Sequence, residues 1–544
     1  MDYKKNYEKW LNNVSDEVLL NELRNMNDTE IEDAFYRDLA FGTGGLRGTL
    51  GAGTNRMNIY VVAKASKGLA NYLNKKYTNP SVVIGYDTRI NSDVFSKVAA
   101  EVFAYNGIKV NIYDKPLPVP TVSFGVRHLK ANAGVMITAS HNPSKYNGYK
   151  VYGSDGCQIT TEAAKEILNE INLIDEFSVD RADINSKLIS YIDDNVLTAF
   201  IEEVKKQSFL FDEKINKDIS IVYSPLNGTG LIPVTRVLKE LGYTNIITVK
   251  EQESPDGNFP TCPYPNPEVR QAMELGIKYA KDNNADILIA TDPDCDRVGV
   301  AVKDNDDFTI LSGNEVGILL LKYICERRTA KNNLPLNPVL IKTIVTTDLA
   351  DKIAGSYGIK TINVLTGFKF IGEQIGILEK ENRLNDFVFS FEESDGYLSG
   401  TYARDKDGVN GACLVCEMFS YYKDKNISLK EKLKEIYEEY GYYFNSLKSF
   451  EFPGSDGFNK MQDIMANLRN NPKEYINNVK VVKCNDYLKG IDNLPKSDVL
   501  KYFLNDGSTI VVRPSGTEPK LKMYISLLSN DEKIVDKITE ELLG

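Results

Sequence analysis

A serine follows a short apolar run at a point where its side chain is available for chemistry. The run Ala-Gly-Val-Met-Ile leads into Thr-Ala-Ser-His-Asn-Pro at 138–143, which places Ser140 in a loop after a predicted strand. A hydroxyl in such a position can take up and release a phosphoryl group. The same residues also suit an ordinary turn. A hydrolytic Ser–His pair is disfavoured, because adjacent residues such as Ser140 and His141 generally point apart.

Three aspartates at alternate positions form a second motif. Asp292, Asp294 and Asp296 lie in Asp-Pro-Asp-Cys-Asp-Arg, directly after an apolar run. Carboxylates with this spacing on a tight loop can converge on one hard divalent cation. A calcium-binding EF-hand is excluded, because its sixth position requires Gly and is Arg297, and its twelfth requires Glu and is Lys303. A solvated acidic loop is the alternative interpretation.

Two further loops carry groups that suit a sugar phosphate. Glu-Glu-Ser-Asp-Gly at 392–396 offers carboxylates and a hydroxyl, although acidic turns of this kind are common. Arg-Pro-Ser-Gly-Thr-Glu-Pro-Lys at 513–520 offers a guanidinium fork, hydroxyls and backbone N–H groups for a phosphate, with a plain hairpin loop as the alternative. A glycine-rich stretch at 41–58 matches neither a Walker A nor a dinucleotide-binding motif, but its Arg47 can contact an anion.

The elements that must position these loops have the pattern of α/β units. Runs rich in Val and Ile repeatedly end in polar, glycine-containing loops and are followed by helical periodicity, which is typical of parallel strands covered by helices. Ligands of such sheets bind beyond the carboxyl ends of the strands, where these motifs fall. The sequence therefore predicts three α/β units in tandem, with too little internal similarity to identify a repeat. The last segment predicts a small α+β domain.

Composition and charge limit the class of partner. The chain has 65 Lys and Arg against 76 Asp and Glu, and a net charge of -11 disfavours nucleic acid and anionic membranes as partners. The most apolar run, Val316 to Ile324, is interrupted by Lys322 and is too short for a membrane span, and the N-terminus has no apolar signal-peptide segment. We therefore expect a cytoplasmic protein that binds neither a membrane nor nucleic acid.

The cysteines and histidines exclude some metal sites. Seven scattered cysteines fit reduced thiols better than a disulfide framework. Cys413 and Cys416 form a C-x-x-C, which is either half of a zinc site, a redox pair, or one face of a buried helix; the surrounding apolar residues favour the helix. The only histidines are His128 and His141, so a multi-histidine metal site is excluded.

In order and spacing, the four motifs resemble the loops of the phosphohexomutase superfamily. The glycine-rich stretch and Thr-Gly-Phe-Lys-Phe-Ile-Gly-Glu from Thr366 are similar to its bacterial phosphoglucomutase/phosphomannomutase branch, which also includes phosphopentomutases. The resemblance implies an α/β protein with four domains around a central cleft: three related α/β domains and a C-terminal α+β domain that resembles half of the TATA-binding protein. The predicted domains are a phosphoserine-bearing domain over 1–205, a metal-binding domain over 206–320, a sugar-binding domain over 321–445 and a phosphate-binding domain over 446–544.

The resemblance also implies roles for individual residues. Ser140 is the phosphorylated residue and binds Mg²⁺ together with Asp292, Asp294 and Asp296. The implied catalytic residues are Ser140, Lys150, Arg47 and His141. The implied substrate-binding residues are Glu393, Ser394, Gly396, Lys406, Arg513, Ser515, Gly516 and Thr517. Several hexomutases carry a histidine after the sugar loop where this chain has Tyr397, which leaves the second proton-transfer group and the substrate preference open.

The implied activity is the interconversion of hexose 1-phosphate and hexose 6-phosphate, on glucose and also mannose. The reaction passes through phosphoserine and a sugar 1,6-bisphosphate, which also serves as activator. A base is needed for the attacking hydroxyl, and Lys150 with a lowered pKa is the predicted one. We expect a hinge before the last domain and a monomer or dimer. A phosphopentomutase acting on ribose or deoxyribose 1-phosphate is the alternative, and a non-catalytic sugar-phosphate-binding protein is a remote one.

Overall fold

The chain forms four β-sheets, one after another in sequence. The computed structural model describes residues 2–42, 44–210, 213–452, 454–491, 494–515, 520–529 and 532–543. Each sheet is accompanied by its own helices. Across these ranges, we find no helix that is both long enough and apolar enough to cross a membrane.

The first unit contains a six-stranded sheet. Its strands are β1 (Gly45–Thr49), β2 (Ser81–Tyr86), β3 (Lys109–Tyr113), β4 (Ala133–Ile137), β5 (Tyr146–Gly153) and β6 (Ile189–Ile192). Its helices are α1 (Tyr3–Asn13), α2 (Glu17–Asn25), α3 (Asp28–Phe35), α4 (Ile59–Lys76), α5 (Ser92–Tyr105), α6 (Val119–His128), α7 (Thr161–Ile171) and α8 (Asp194–Lys205). The strand order is β1-β5-β4-β2-β3-β6, in which β4, β2, β3 and β6 are parallel and β5 is antiparallel to both neighbours.

The second unit contains a five-stranded sheet. Its strands are β7 (Ile221–Ser224), β8 (Ile246–Thr248), β9 (Ile287–Thr291), β10 (Val298–Asp304) and β11 (Asp307–Leu311). Its helices are α9 (Leu231–Glu240), α10 (Lys250–Glu253) and α11 (Arg270–Asp282). The order is β11-β10-β9-β7-β8, in which β9, β7 and β8 are parallel and β10 is antiparallel to both neighbours.

The third unit contains a four-stranded sheet. Its strands are β12 (Val339–Thr343), β13 (Lys360–Val364), β14 (Phe387–Glu392) and β15 (Gly396–Leu398). Its helices are α12 (Gly313–Ala330), α13 (Leu349–Ser356), α14 (Phe368–Lys380), α15 (Gly408–Asp424) and α16 (Leu429–Tyr440), with a 3₁₀ turn at Leu384–Asp386. The order is β13-β12-β14-β15, with the first three strands parallel and β15 antiparallel to β14.

The fourth unit differs in kind, because its sheet is antiparallel throughout. Its strands are β16 (Phe444–Glu451), β17 (Tyr475–Ile476), β18 (Val479–Asp486), β19 (Leu500–Leu504), β20 (Thr509–Pro514) and β21 (Lys520–Leu527). Its helices are α17 (Gly454–Asn470) and α18 (Lys533–Leu543), with a 3₁₀ turn at Tyr487–Lys489. The order is β16-β21-β20-β19-β18-β17. The predicted fold class, three α/β units and a C-terminal α+β unit, is confirmed.

The three α/β units share one structural device. In each, a central parallel strand turns back through a short loop into an antiparallel partner: β4 into β5, β9 into β10, and β14 into β15. These connections carry the serine motif, the aspartate motif and the Glu-Glu-Ser motif, respectively. The units are therefore variants of one plan, although their sequences are too different to identify a repeat.

Helix α12 connects the second and third units. It begins at a capping box in which Ser312 accepts a hydrogen bond from the backbone N–H of Glu315 and the Glu315 side chain accepts one in return. Gly317 of this helix packs directly against Phe391 of β14, because an added Cβ would lie 2.1 Å from the Phe391 ring. The helix therefore packs with the third sheet. The predicted domain boundary between residues 320 and 321 falls inside it, and a boundary between β11 and α12 keeps the helix whole.

The cysteines are free thiols. Cys413 and Cys416 lie on α15, and both are buried in the hydrophobic core around the second and third sheets. The helix interpretation of this C-x-x-C is therefore confirmed. Among the residues described, the one cluster of three metal-ligating side chains is Asp292, Asp294 and Asp296.

Candidate active site

Ser140 lies in the β4–β5 connection and points at the aspartate motif of the second unit. Its Oγ donates a hydrogen bond to Asp292 Oδ2 at 2.8 Å and lies 3.2 Å from His141 Nδ1. The backbone of Ser140 has φ 53°, in the left-handed region that non-glycine residues rarely adopt. Its backbone N–H donates to Thr138 Oγ1 at 2.8 Å. The serine is thus fixed in an unusual conformation with its hydroxyl directed across a domain boundary.

The three aspartates converge in the β9–β10 connection. Asp292, Asp294 and Asp296 are buried, and their ligand atoms lie within 4.8 Å of one another. Asp292 Oδ1 accepts hydrogen bonds from the backbone N–H groups of Asp296 and Arg297, both at 3.1 Å. Burial and the charges of the other two carboxylates raise the pKa of Asp292 well above its ordinary range. Asp294 is shifted the other way, because the charge of Lys150 lowers its pKa in spite of burial.

The donor set fits a hard divalent cation. Asp294 Oδ1 and Asp296 Oδ1 are buried, and neither receives a hydrogen bond from any described residue. A buried carboxylate oxygen without a donor is costly unless a cation satisfies it. Carboxylate oxygens together with an oxygen on Ser140 are the ligand type that Mg²⁺ prefers. These residues could therefore hold such an ion.

Two lysines contact the Oδ2 atoms of Asp294 and Asp296. Lys150 Nζ on β5 lies 2.9 Å from Asp294 Oδ2 and 3.5 Å from Asp296 Oδ2. Lys406 Nζ lies 3.1 Å from Asp296 Oδ2. Burial alone would lower the pKa of Lys150, but Asp294 and Asp296 outweigh burial and raise it. The prediction of a lowered pKa at Lys150 is therefore wrong, because the carboxylates of Asp294 and Asp296 stabilise its charged form.

The Glu-Glu-Ser motif, called the sugar motif below, lies at the end of β14. Glu393 and Ser394 line the cleft, and Glu393 Oε2 accepts hydrogen bonds from Thr343 Oγ1 at 3.3 Å and Thr346 Oγ1 at 3.4 Å. Burial raises the pKa of Glu393 above its ordinary value. Gly396 does not line the cleft, but a Cβ there would lie 2.1 Å from Lys406 Cδ. Gly396 therefore leaves the space that the Lys406 side chain occupies.

Tyr397 lies behind the sugar motif and does not line the cleft. Its side chain is fully buried, and its hydroxyl is 3.5 Å from Gly313 O and from Asp395 Oδ1. Burial raises the pKa of Tyr397 well above its ordinary value, so the phenol stays neutral. The question that the sequence left open is answered in part: Tyr397 does not reach a sugar in the cleft.

The fourth unit contributes Arg513 and Ser515 to the cleft. Arg513 lies on β20, and its Nε is buried without an acceptor among the described residues. Ser515 directly follows β20, and its backbone N–H donates to Lys520 O at 2.7 Å. Gly516 and Thr517, which the sequence also predicts as phosphate contacts, lie outside the described residues. A guanidinium that lines a cleft suits a phosphate, because its planar fork can bind two phosphate oxygens at once.

All four units face one cleft of about 2750 Å³. The predicted residues that line it are Arg47, Ser140, His141, Lys150, Asp296, Glu393, Ser394, Lys406, Arg513 and Ser515. Asp292 and Asp294 lie behind its wall. Arg47 is exposed on β1 and donates to Asn142 Oδ1 at 3.2 Å, beside the serine loop. Burial and the charges of Arg297 and Arg47 lower the pKa of His141 well below its ordinary value, which keeps the imidazole neutral.

Several cleft residues were not predicted from the sequence. Lys369, at the start of α14, lines the cleft, and burial lowers its pKa to about 8. Arg297 donates to Glu268 Oε1 from the second unit, and both line the cleft. Burial raises the pKa of Glu392 to about 7, although Lys406 opposes this shift. All three residues belong to motifs quoted above, so the sequence contained them. What it does not show is which side chains of those motifs line the cleft and how deeply each is buried.

Four domains of one known protein family match successive parts of the chain. The family description "phosphoglucomutase/phosphomannomutase, alpha/beta/alpha domain" matches the chain three times, as domain I over 38–177, domain II over 198–305 and domain III over 312–440. The C-terminal domain of the same family matches over 460–542. Each of the four sheets therefore falls in a different domain of this family.

Full-length relatives agree with these matches. The chain is 37% identical to a phosphoglucomutase from Staphylococcus saprophyticus and 35% identical to one from Staphylococcus haemolyticus, over 98% and 99% of both partners in each pair. Among solved structures, the open form of the Paramecium protein pp63/parafusin, described as a phosphoglucomutase, superposes with a TM-score of 0.69 at 17% identity. That match covers 93% of this chain and 94% of the Paramecium chain, and it supports the fold.

Proposed function

The chain belongs to the phosphoglucomutase/phosphomannomutase family of phosphohexomutases, and from this premise we propose that it interconverts glucose 1-phosphate and glucose 6-phosphate through a phosphorylated Ser140. Hexose phosphate interconversion is the activity of the family. Two relatives named phosphoglucomutase, which align over nearly their whole length, support glucose as the sugar. Mannose phosphate is the second hexose to compare.

One observation carries the assignment of Ser140. Its Oγ donates to Asp292 Oδ2 at 2.8 Å, so the hydroxyl adjoins a buried carboxylate cluster and opens onto the same cleft as Arg513. A phosphoryl group on this oxygen would adjoin both the aspartates and the cationic side chains Lys150 and Lys406. Phosphoryl transfer needs this kind of charge neutralisation together with accurate positioning of the reacting groups.

Mg²⁺ fits the aspartate cluster best. Asp292, Asp294 and Asp296 would hold it together with an oxygen on Ser140, and the two buried carboxylate oxygens that receive no hydrogen bond from a described residue support this ligand set. When bound, the ion would draw negative charge from the transferring phosphoryl group. Lys150 and Lys406 would hold the outer oxygens of Asp294 and Asp296 in place.

The transfer itself exchanges one phosphorus–oxygen bond for another. A sugar hydroxyl oxygen attacks the phosphorus on Ser140; the bond to Ser140 Oγ breaks as the bond to the sugar oxygen forms. The sugar proton passes to a base, for which the neutral form of Lys369 is suited, because this lysine lines the cleft and burial lowers its pKa to about 8. Lys150, which is held in its charged form, would return a proton to Ser140 Oγ as that oxygen leaves. A sugar bisphosphate and an unmodified serine result.

The bisphosphate must then present its other phosphate to Ser140. We assign Arg513 and Ser515 to the phosphate that is not reacting, so this cradle must accept either phosphate in turn. Glu393 and Ser394 would contact the sugar hydroxyls between the two phosphate positions. Arg513→Ala should therefore raise the KM for glucose 1-phosphate and glucose 6-phosphate by similar factors. An unchanged KM for both would contradict the proposal that Arg513 and Ser515 bind either phosphate.

The experiment that tests this function is a mutase assay with Mg²⁺ and a trace of glucose 1,6-bisphosphate. Glucose 1-phosphate, mannose 1-phosphate and ribose 1-phosphate are compared, with the Ser140→Ala and Ser144→Ala variants alongside. Ser144 lies in the same loop, so its variant controls for a general disturbance of that loop. The mass of Ser140-containing peptides reports whether the serine is phosphorylated.

The outcomes separate the candidate functions. Glucose phosphate turnover that is lost in Ser140→Ala and kept in Ser144→Ala supports the proposal. Turnover of ribose 1-phosphate alone would identify a phosphopentomutase. No turnover of any substrate, with intact binding of sugar phosphate, would identify a binding protein.

A further inference from the structure

Arg89 is a fully buried arginine whose side chain binds the serine loop. It lies three residues after the end of β2, in the first unit. Its Nη1 donates to Pro143 O at 2.9 Å and Tyr146 O at 3.0 Å, and its Nη2 donates to Ser140 O and Asn142 O. One guanidinium thus collects four backbone carbonyls from a single seven-residue loop. Arg89 therefore holds this loop in addition to the hydrogen bonds that the loop makes within itself.

The guanidinium has no accessible donor left for a substrate. Its four Nη–H groups are taken by the loop carbonyls, and its Nε is buried 3.4 Å from Asp87 Oδ2, without a hydrogen bond to any described residue. The ring of Phe259, from the second unit, covers one face of the guanidinium with its centroid 5.1 Å away. Arg89 therefore cannot contact a sugar phosphate and must act through the loop.

The same segment also holds the other side of Ser140. Asp87 Oδ2 accepts a hydrogen bond from Thr138 Oγ1 at 2.6 Å, and Thr138 Oγ1 accepts one from the Ser140 N–H at 2.8 Å. Arg89 binds the Ser140 carbonyl. Both peptide groups of the serine are thus tied to one short stretch after β2. This explains how a serine with φ 53° keeps a conformation that it would otherwise rarely adopt.

We propose that Arg89 is a positioning residue for phosphoryl transfer, which holds the Ser140 backbone so that its hydroxyl meets Asp292. This rests on the proposed role of Ser140. During the reaction the serine gains and loses a highly charged group, and its oxygen must return to the same place each time. A planar fork that binds several carbonyls can hold that backbone, whereas a lysine ammonium is a point charge with a different geometry. Misplacement of a reacting group by about 1 Å costs roughly 100-fold in rate.

The experiment uses the full chain with Arg89→Lys, which keeps the charge and removes the fork. The kcat for glucose 1-phosphate should fall about 100-fold while its KM changes less than about 3-fold, because the cradle for the substrate phosphate is untouched. The rate at which glucose 1,6-bisphosphate phosphorylates Ser140 in a single turnover should fall by the same factor. Arg327→Lys is the matched control, since Arg327 is also buried and pairs with Glu213 outside the cleft.

Two further measurements separate positioning from general loss of structure. Methylguanidinium should restore part of the kcat of Arg89→Ala, and ethylammonium should not. Amide hydrogen exchange in residues 138–147 should be faster in Arg89→Lys than in the wild type, with exchange elsewhere unchanged. The proposal is overturned if Arg89→Lys keeps the wild-type kcat and loop exchange, or if its loss of activity only follows a lowered Tm without methylguanidinium rescue. A wild type that turns over no sugar phosphate would count against the proposed function, and loop exchange would still decide the role of Arg89.

Discussion

Ser140 Oγ and Asp292 Oδ2 lie 2.8 Å apart, although the two residues are separated by 152 positions and belong to different units. Each occupies the same structural place, the connection between a parallel strand and its antiparallel partner. The hydrogen bond therefore joins two equivalent loops of two variants of one fold. Under the proposed function, phosphoryl transfer at Ser140 therefore depends on how firmly those units are held together.

Asp292→Asn should weaken the response to Mg²⁺. Removal of one of three buried carboxylates lowers the charge that holds the ion, so we expect the Mg²⁺ concentration for half-maximal activity to rise at least about 10-fold. Without metal, the same change relieves repulsion among like charges, so in EDTA the variant should unfold at a higher temperature than the wild type. Asp306→Asn, in an exposed turn of the same unit, is the control. An equal Mg²⁺ response in both variants would contradict the metal assignment.

Lys369→Met should remove a pH-dependent part of both rate and stability. Burial lowers the pKa of Lys369 to about 8, so its neutral form and the mutase rate should increase as pH rises towards 8. We expect the variant to lose about 100-fold in kcat and to lack this rise. A pH–rate profile of the variant that still rises towards pH 8 would contradict the assignment.

The stability effect of Lys369 has a defined sign. Its folded pKa lies below its ordinary value of 10.5, so the unfolded chain binds more protons between these two values. The stability that Lys369 contributes is therefore lost as pH falls through about 8 and is recovered as pH rises towards its ordinary pKa. The Tm of the wild type relative to Lys369→Met should increase between about pH 7 and about pH 10. A constant difference would contradict the lowered pKa of this half-buried lysine.

The sequence predicted the location of a functional loop where the residues involved lie in one short segment. The loops around Ser140, Asp292 and Arg513 each contain their own turn residues and polar groups, so their positions at strand ends could be predicted. Contacts between distant segments could not be predicted. The pairing of Lys150 with Asp294 joins residues 144 positions apart, and it reversed the predicted direction of the Lys150 pKa.

Burial was the second quantity that the sequence could not supply. Tyr397 follows the sugar motif directly, but the alternation of β15 turns its side chain into the core. Arg89 lies in an ordinary-looking Asp-Thr-Arg segment, and only the folded loop reveals the carbonyls around it. Three related α/β units were predicted, but the connection into an antiparallel strand that all three use was not, because three different loop sequences form it.

Gly396→Ala should disturb Lys406. A Cβ at this position would lie 2.1 Å from Lys406 Cδ, so the ammonium must leave Asp296, which it now contacts at 3.1 Å. We expect kcat to fall at least about 10-fold. Gly355→Ala is the matched control, because α13 has open space around that position, and it should stabilise the protein by up to about 1 kcal/mol. Thermal unfolding and steady-state kinetics measure both effects, and equal kcat values for the two variants would contradict the role given to Gly396.

Lys501→Met should loosen the contact between the third and fourth units. Lys501 Nζ on β19 donates to Ile344 O and Asp348 Oδ2, both at 3.0 Å, and Thr509 Oγ1 donates to the same Asp348 oxygen at 3.1 Å. Asp348 also pairs with Lys342 at 3.0 Å, so the variant does not leave this carboxylate unpaired. The fold should therefore survive, while the closed arrangement that brings Arg513 to the cleft becomes less populated.

The expected result is a KM for glucose 1-phosphate about 10-fold higher, with a larger radius of gyration in solution scattering. The connection at Gly441, where φ is 98°, is the expected hinge, because a glycine tolerates this conformation and larger residues do not. Lys480→Met, an exposed lysine on β18 of the same unit, is the control. If Lys501→Met and Lys480→Met have the same KM and the same radius of gyration, the Lys501–Asp348 contact does not govern closure, and the fourth unit must be held by its apolar contacts instead.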